Sequence, residues 1–236
     1  MMIKIKNIIE SLLYHFPNLF ALIIGKRKYV NFEKQFYLRN IKRGDVVFDI
    51  GANIGYYSIL FSKLCGKNGF VHCFEPVEDT FAILKKRLKD INNVKINNIG
   101  AGYITKQMTI SYNPSDSEKS TLLNTSRSTE FHRLVSIQKL DEYGNTENIH
   151  KLDFVKCDVE GYEYHALLGM EELLRKFLPK ISLEISVSKA ERLRIISLLQ
   201  QIGYIKFHKI EKNFPIYRPI VDDEPTDSYF YLYASS

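Results

Sequence analysis

Val46-Val47-Phe48-Asp49-Ile50-Gly51-Ala52-Asn53-Ile54-Gly55 is the stretch whose reading decides the fold. A short apolar run ends in an acid, and two glycines then occupy the turn that leads into the helix-compatible residues 55–65. A strand covered on both faces reads as a near-continuous apolar run, and glycines at its carboxyl end let backbone approach a ligand closely. Working outward, Gly69–Glu75 is a second strand, also ending in an acid, and residues 77–90 form a helix with a basic outer face at Lys85–Lys89. Val94–Ile99, Leu152–Cys157 and Lys180–Ile185 continue the strands, with helices over Glu163–Lys176 and Lys189–Ile202. Tyr204–Ile210 and Tyr229–Tyr233 close the chain as two more strands. Strands alternating with helices of this length predict an α/β fold with a doubly wound, mostly parallel sheet.

The turn also says which ligand fits. A pyrophosphate site wants G-x-G-x-x-G at a helix N-terminus, whereas this chain has D-x-G-x-x-x-G, with Asp49 where it would repel phosphate and attract an ammonium group. Glu75 follows Gly51 by 24 residues, close to the interval at which nucleotide-binding folds place a carboxylate on ribose hydroxyls. Two strand-end acids favour a ribose joined to a cation, which is the chemistry of S-adenosylmethionine. The alternative is structural: Asp49 capping the next helix, with Gly51 and Gly55 permitting a tight turn and close packing.

The composition, 45% apolar and 25% charged over 236 residues, excludes disordered, collagen-like and disulfide-stapled chains. Cys65, Cys73 and Cys157 are odd in number, match no metal-ligand spacing and sit in apolar runs, so a reducing cytoplasm is the expected compartment. Residues 1–45 hold nine basic and three acidic residues, which accounts for the whole formal charge of +6. The body is therefore balanced, and no nucleic-acid partner is expected. Residues 1–43 read as a basic helical extension and residues 44–236 as the catalytic domain. Within the extension, Ile5, Ile8, Ile9, Leu12, Leu13 and Phe16 keep helical spacing up to Pro17. This amphipathic helix either packs on the domain or, with Lys26–Lys28, makes peripheral membrane contact through residues 3–28. Glu10 and Pro17 interrupt any membrane-spanning run. Short strands at Gln107–Ser111 and Leu134–Gln138 flank a polar stretch, residues 113–130, whose length suits a substrate loop.

Three blocks carry a family resemblance: Phe48 to Ser58; Phe74-Glu75-Pro76; and Asp153-Phe154-Val155-Lys156-Cys157-Asp158-Val159-Glu160-Gly161-Tyr162-Glu163, with Gly169 beyond. Together they resemble the FkbM family of S-adenosylmethionine-dependent methyltransferases from about residue 40 to residue 186. The resemblance implies a class I, Rossmann-like methyltransferase fold with a seven-stranded sheet and an antiparallel last strand. It also implies O-methylation of a sugar, glycan or natural-product hydroxyl. By the same resemblance Asp49, Gly51 and Asn53 line the methionine part of the donor, beside Gly55, and Glu75 holds the ribose. Asn98-Ile99-Gly100 carries no acid after the third strand, which leaves Asn98, backbone groups or stacking for the adenine.

Methylating an alcohol requires alignment and removal of a proton. Asp158 and Glu160, just past the fourth strand, and Glu184, near the end of the fifth, share the carboxyl edge where open α/β sheets bind ligands. They are the candidate catalytic groups; the alternatives are helix caps, structural hydrogen bonds or a shared divalent metal. His132 and His165 are weaker base candidates, and Lys156 is expected to pair with an acid. A nicotinamide oxidoreductase lacks its phosphate turn here, and a nucleobase methyltransferase lacks the Asn/Asp-Pro-Pro-aromatic turn after the fourth strand. A membrane-associated adaptor without turnover uses the same fold. The acceptor and the oligomeric state have no signature in the chain.

Overall fold

The computed structural model describes Leu13, Tyr14 and residues 32–112, 131–185, 188–211, 217–220 and 230–236. The expected substrate loop and all but two residues of the expected amphipathic helix lie outside the described residues. In chain order the elements are α1 (Phe32–Asn40), β1 (Val46–Ile50), α2 (Tyr56–Cys65), β2 (Phe70–Phe74), α3 (Glu78–Leu88), β3 (Val94–Asn97), β4 (Gly100–Ala101), β5 (Lys106–Tyr112) and β6 (Phe131–Gln138). There follow α4 (Leu140–Thr146), β7 (Phe154–Cys157), α5 (Glu163–Leu168), α6 (Glu171–Phe177), β8 (Lys180–Ile185), α7 (Lys189–Ile202), β9 (Lys206–Ile210), β10 (Tyr217–Pro219) and β11 (Phe230–Ser235).

The main sheet runs β10-β9-β11-β8-β7-β1-β2-β3. Its central strands are parallel, and β11 enters antiparallel between β8 and β9. The class I expectation therefore holds, and the short β10, antiparallel to β9, adds one strand at the edge. Strand order reverses between β1 and β7, so the chain leaves β1 toward β2 on one side and returns through β7 on the other. That reversal opens a crevice at the carboxyl ends of the strands, where this fold class receives ligands. A second sheet, β4-β6-β5, is built from the β5–β6 hairpin and packs Ile110, Val135 and Ile137 against Val77.

Strand alternation sends each side chain to a defined layer. Val47, Val71, Cys73 and Phe154 face the layer containing Phe36, Leu38, Phe61 and Leu84 of α1, α2 and α3. Phe48, Ile50, Phe74, Val155 and Leu183 face Leu140, Ala166, Leu174 and Leu199 of α4, α5, α6 and α7. α1 falls within the segment expected as an extension, yet Phe36 and Leu38 have no exposure, and Phe36 packs its ring on Phe154 and Tyr233. Leu13 and Tyr14 pack on the same cluster, with Lys63 Nζ 4.9 Å from the Tyr14 ring centre. Among the described residues no helix is long and apolar enough to cross a membrane.

Two helices show how local chemistry sets the boundaries. α7 starts at Ser188, whose hydroxyl accepts the Glu191 amide N–H, and stops at Gly203. The single helix expected over Glu163–Lys176 is instead two, α5 and α6, broken at Gly169–Met170. There Gly169 lies so close to the Gly102 carbonyl that a side chain at this position would collide with it, and the chain turns to seat the loop after β4.

Candidate active site

Asp49 sits at the carboxyl end of β1 on the face turned toward α2. Its register partners are Lys156 on β7 and Cys73 on β2, and Lys156 is in turn level with Ser182 on β8. Residues in register on parallel strands share a face, so Asp49, Lys156 and Ser182 form one row across the sheet; Asp158 and Glu184 follow two residues beyond in their chains. The Asp49 carboxylate has no exposure. Its Oδ2 accepts a 2.6 Å hydrogen bond from Ser58 Oγ, and Lys156 Nζ lies 3.7 Å from Oδ1, which has no hydrogen-bond donor.

Lys156 is buried and central. Its Nζ donates to Asp158 Oδ2 at 3.1 Å and to the Gly51 carbonyl at 3.5 Å. Burial alone would lower its pKa, but the carboxylates of Asp158 and Asp49 outweigh that cost and hold the ammonium well above the ordinary lysine value. Burial pushes Asp49 up, while Lys156 and the Ser58 hydroxyl oppose the shift. The expected pairing of Lys156 with an acid is thus a pairing with two.

The turn after β1 is fixed by steric necessity. Gly51 has φ +74°, and an added Cβ would fall 1.8 Å from the Asp158 carbonyl oxygen, so the glycine lets the ends of β1 and β7 close on each other. Gly55, with φ +82°, abuts Leu84 of α3, and its close approach is thus to a helix. Asn53 is also left-handed, at φ 50°, with its Oδ1 accepting the Ile54 N–H. This conformation directs the Asn53 N–H to Glu75 Oε2 at 3.0 Å, while Glu75 Oε1 accepts the Val77 N–H at 3.0 Å. Glu75 is 6% exposed, and burial raises its pKa to about 7 against the pull of those two amides. Asn98 Nδ2 donates to the carbonyls of Glu75 and Pro76, bracing the end of β2 from β3.

The loop after β7 carries Asp158 and Glu160. Glu160 at φ 50° and Gly161 at φ 93° make a left-handed pair, and Glu163 at the start of α5 holds it. Glu163 Oε1 accepts the N–H groups of Val159 and Gly161 at 3.2 and 3.0 Å, whereas its Oε2 is buried with no hydrogen-bond partner. Burial lifts this carboxyl to about 7. Glu163 lies within the third motif block and is not among the candidate site residues expected from the sequence; an acid that opens a helix directly after a glycine turn is the signal that could have found it.

These contacts bring Asp49, Gly51 and Asp158 together at the ends of β1 and β7, and Asn53, Glu75 and Asn98 together at the end of β2, with Glu160 on the loop after β7 and Glu184 half-buried on the Lys156 face of β8. His132 is exposed on β6, and His165 lies on α5, behind the opposite face, stacked 4.5 Å from the Tyr162 ring. Among the described residues no three His, Cys, Asp or Glu side chains converge to hold a metal ion. The shared-carboxylate metal site finds no support there, because Asp158 turns an oxygen to Lys156.

A family model described as the methyltransferase FkbM domain matches residues 49–206. The chain belongs to this family. The chain is similar to "Methyltransferase 1" of Beauveria bassiana, 22% identical over 67% of this chain and 71% of that protein. The hexuronic acid methyltransferase AglP of Haloferax volcanii is 29% identical over 58% of this chain and 55% of its own. The 31-O-demethyl-FK506 methyltransferase FkbM of Streptomyces tacrolimicus is 46% identical over 57 residues, 23% of this chain and 22% of that one. Among solved structures, a methyltransferase FkbM from Methylobacillus flagellatus KT superposes with TM-score 0.55 at 18% identity. It covers 92% of this chain, which spans 58% of that one. Aeropyrum pernix fibrillarin, solved with natively bound S-adenosyl-L-methionine, has TM-score 0.52 at 14% identity, covering 93% and 74%. These likenesses identify the fold as that of class I methyltransferases.

Proposed function

We propose that the chain transfers a methyl group from S-adenosylmethionine to a hydroxyl of a sugar, glycan or natural-product acceptor. The observation that carries this reading is the pair of strand-end acids, Asp49 and Glu75, bracketing the Gly51–Gly55 turn at the point where strand order reverses. The donor set suits the group: each Glu75 oxygen accepts one backbone N–H, leaving lone pairs for the two hydroxyls of a ribose. Asp49 has no exposed surface and lies between Ser58 and Lys156, so Glu75 is the strand-end acid that meets the donor. The bound donor supplies an electrophilic methyl on a sulfonium.

The chain's own residues then have separable roles. Glu75 and the Asn53 turn hold the ribose, and Gly51 and Gly55 set the approach of backbone. Asn98 keeps the end of β2 in place beneath the adenine side. Asp49, fully buried, acts as a positioning residue that fixes Ser58 and Lys156. Asp158, half-buried beside Lys156, is the acceptor for the substrate hydroxyl's proton, with Glu160 and Glu184 orienting the substrate from the same edge. Support for a sugar or natural-product acceptor comes from the relatives described as a hexuronic acid methyltransferase and as a 31-O-demethyl-FK506 methyltransferase, and the name of the second specifies an oxygen. The test is transfer of labelled methyl from S-adenosylmethionine to a panel of free sugars, uronic acids and hydroxylated macrocycles, followed by mild alkali. The expected product is an alkali-stable methyl ether. Label found in an amine, or only in an alkali-labile ester, contradicts the reading.

A further inference from the structure

α1 precedes the segment matched by the family model, yet its side chains reach the charged row. The Tyr57 hydroxyl, from the first turn of α2, donates to the Glu33 carboxylate of α1. Lys156 Nζ lies 5.6 Å from the centre of the Tyr57 ring, close enough for cation–π attraction. Tyr37, one turn along α1 from Glu33, sets its ring edge-on to Tyr57 at 5.0 Å and shares a 3.3 Å hydrogen bond with Ser182, the register neighbour of Lys156. Glu33 joins Asp158 and Asp49 among the carboxylates whose field holds Lys156 protonated. The base of α1 cannot drift, because Phe36, Tyr37 and Leu38 are buried in the core.

We infer that Glu33 and Tyr57 are positioning residues for the Lys156–Asp158 pair, so that the helix upstream of the family domain completes the active site. Tyr57 is clamped at its hydroxyl by Glu33 and at its ring by Tyr37, and its face forms one wall beside the ammonium. With Asp49 on one side and Asp158 on the other, that wall confines Nζ to the position from which it fixes the Asp158 carboxylate. Lys156 is accordingly a fixed charge and not a proton carrier. The inference deepens the proposed function, since it rests on Asp158 as the group that meets the acceptor hydroxyl.

The test needs no acceptor. Full-length protein labelled with 15N-lysine should show one ammonium resonance protected from solvent exchange, assigned by its loss in Lys156→Met. Tyr57→Phe keeps the ring and removes the hydroxyl, and Glu33→Gln keeps the shape and removes the charge. Both variants are expected to retain the wild-type melting temperature within a few degrees while the resonance shifts and its protons exchange about tenfold faster or more. Glu33→Asp, which restores the charge, should recover part of the protection. An unchanged resonance in both folded variants, or no protected lysine ammonium in the wild type, overturns the positioning role. Titration of the same samples with S-adenosylhomocysteine reports on the donor reading separately, because the ammonium resonance is observed in ligand-free protein.

Discussion

At the scale of single residues, Glu163 concentrates the physics of the site. It is a carboxylate with no exposure, gripping two amides of the loop that presents Asp158 and Glu160, with one oxygen unsatisfied. Its pKa rises from an ordinary 4.5 to about 7 because burial penalises the charged form. A carboxyl raised on folding contributes most below its unfolded value and loses that contribution as pH climbs through its folded value. Glu163→Gln has no such loss, so the stability of the variant relative to wild type should improve by about 2–3 kcal/mol between pH 5 and pH 8, at roughly 1.36 kcal/mol for each pH unit below the folded value. Urea denaturation of both proteins at the two pH values checks it, and a gap that stays constant with pH removes the buried charge from the explanation. Asp49 and Glu75 were legible in the sequence because each ends an apolar strand, and the parity of β7 showed Lys156 turned toward an acid. Glu163 was not legible as a clamp, because its partners are backbone amides exposed only by the left-handed turn at Glu160 and Gly161.

At the scale of elements, α1 shows where sequence patterning fails. Gln35, Phe36, Tyr37 and Leu38 are buried at four successive positions, so the helix is covered around its circumference and shows no apolar stripe of helical period. The strands were readable for the complementary reason that short apolar runs bounded by turns have few other uses. The division into α5 and α6 escaped the sequence reading because the break answers to Gly102, a contact 67 residues away in the chain. If α1 belongs to the core, Phe36→Ala should cost about 3–5 kcal/mol, as for other fully buried aromatic residues, with an unchanged denaturant slope. A loss below about 1 kcal/mol, the size seen for surface positions, would make α1 a detachable appendage.

For the molecule as a whole, the alternation of strands and helices carried the doubly wound, mostly parallel sheet in advance, and the family resemblance carried the antiparallel last strand. Two strands of the small sheet, β5 and β6, were legible as Gln107–Ser111 and Leu134–Gln138, whereas the two-residue β4 and the three-residue edge strand β10 are too short to leave a pattern, and their pairing partners decide them. What the whole fold does is bring acids from the ends of four strands, distant in the chain, to one crevice. The acceptor leaves no comparable trace in the chain. The donor does, and its proposed anchor is Glu75, whose pKa burial raises to about 7. A protonated Glu75 gives up acceptor sites to its own proton, so a ribose-bearing ligand should bind more tightly as pH rises through 7. The decisive measurement is calorimetric titration of S-adenosylhomocysteine into the wild type and Glu75→Ala at pH 6 and pH 8. Binding that strengthens toward pH 8 and weakens by about tenfold or more in Glu75→Ala is the expected result. No binding to the wild type, or binding indifferent to Glu75→Ala, would contradict the assignment of this crevice to the methyl donor.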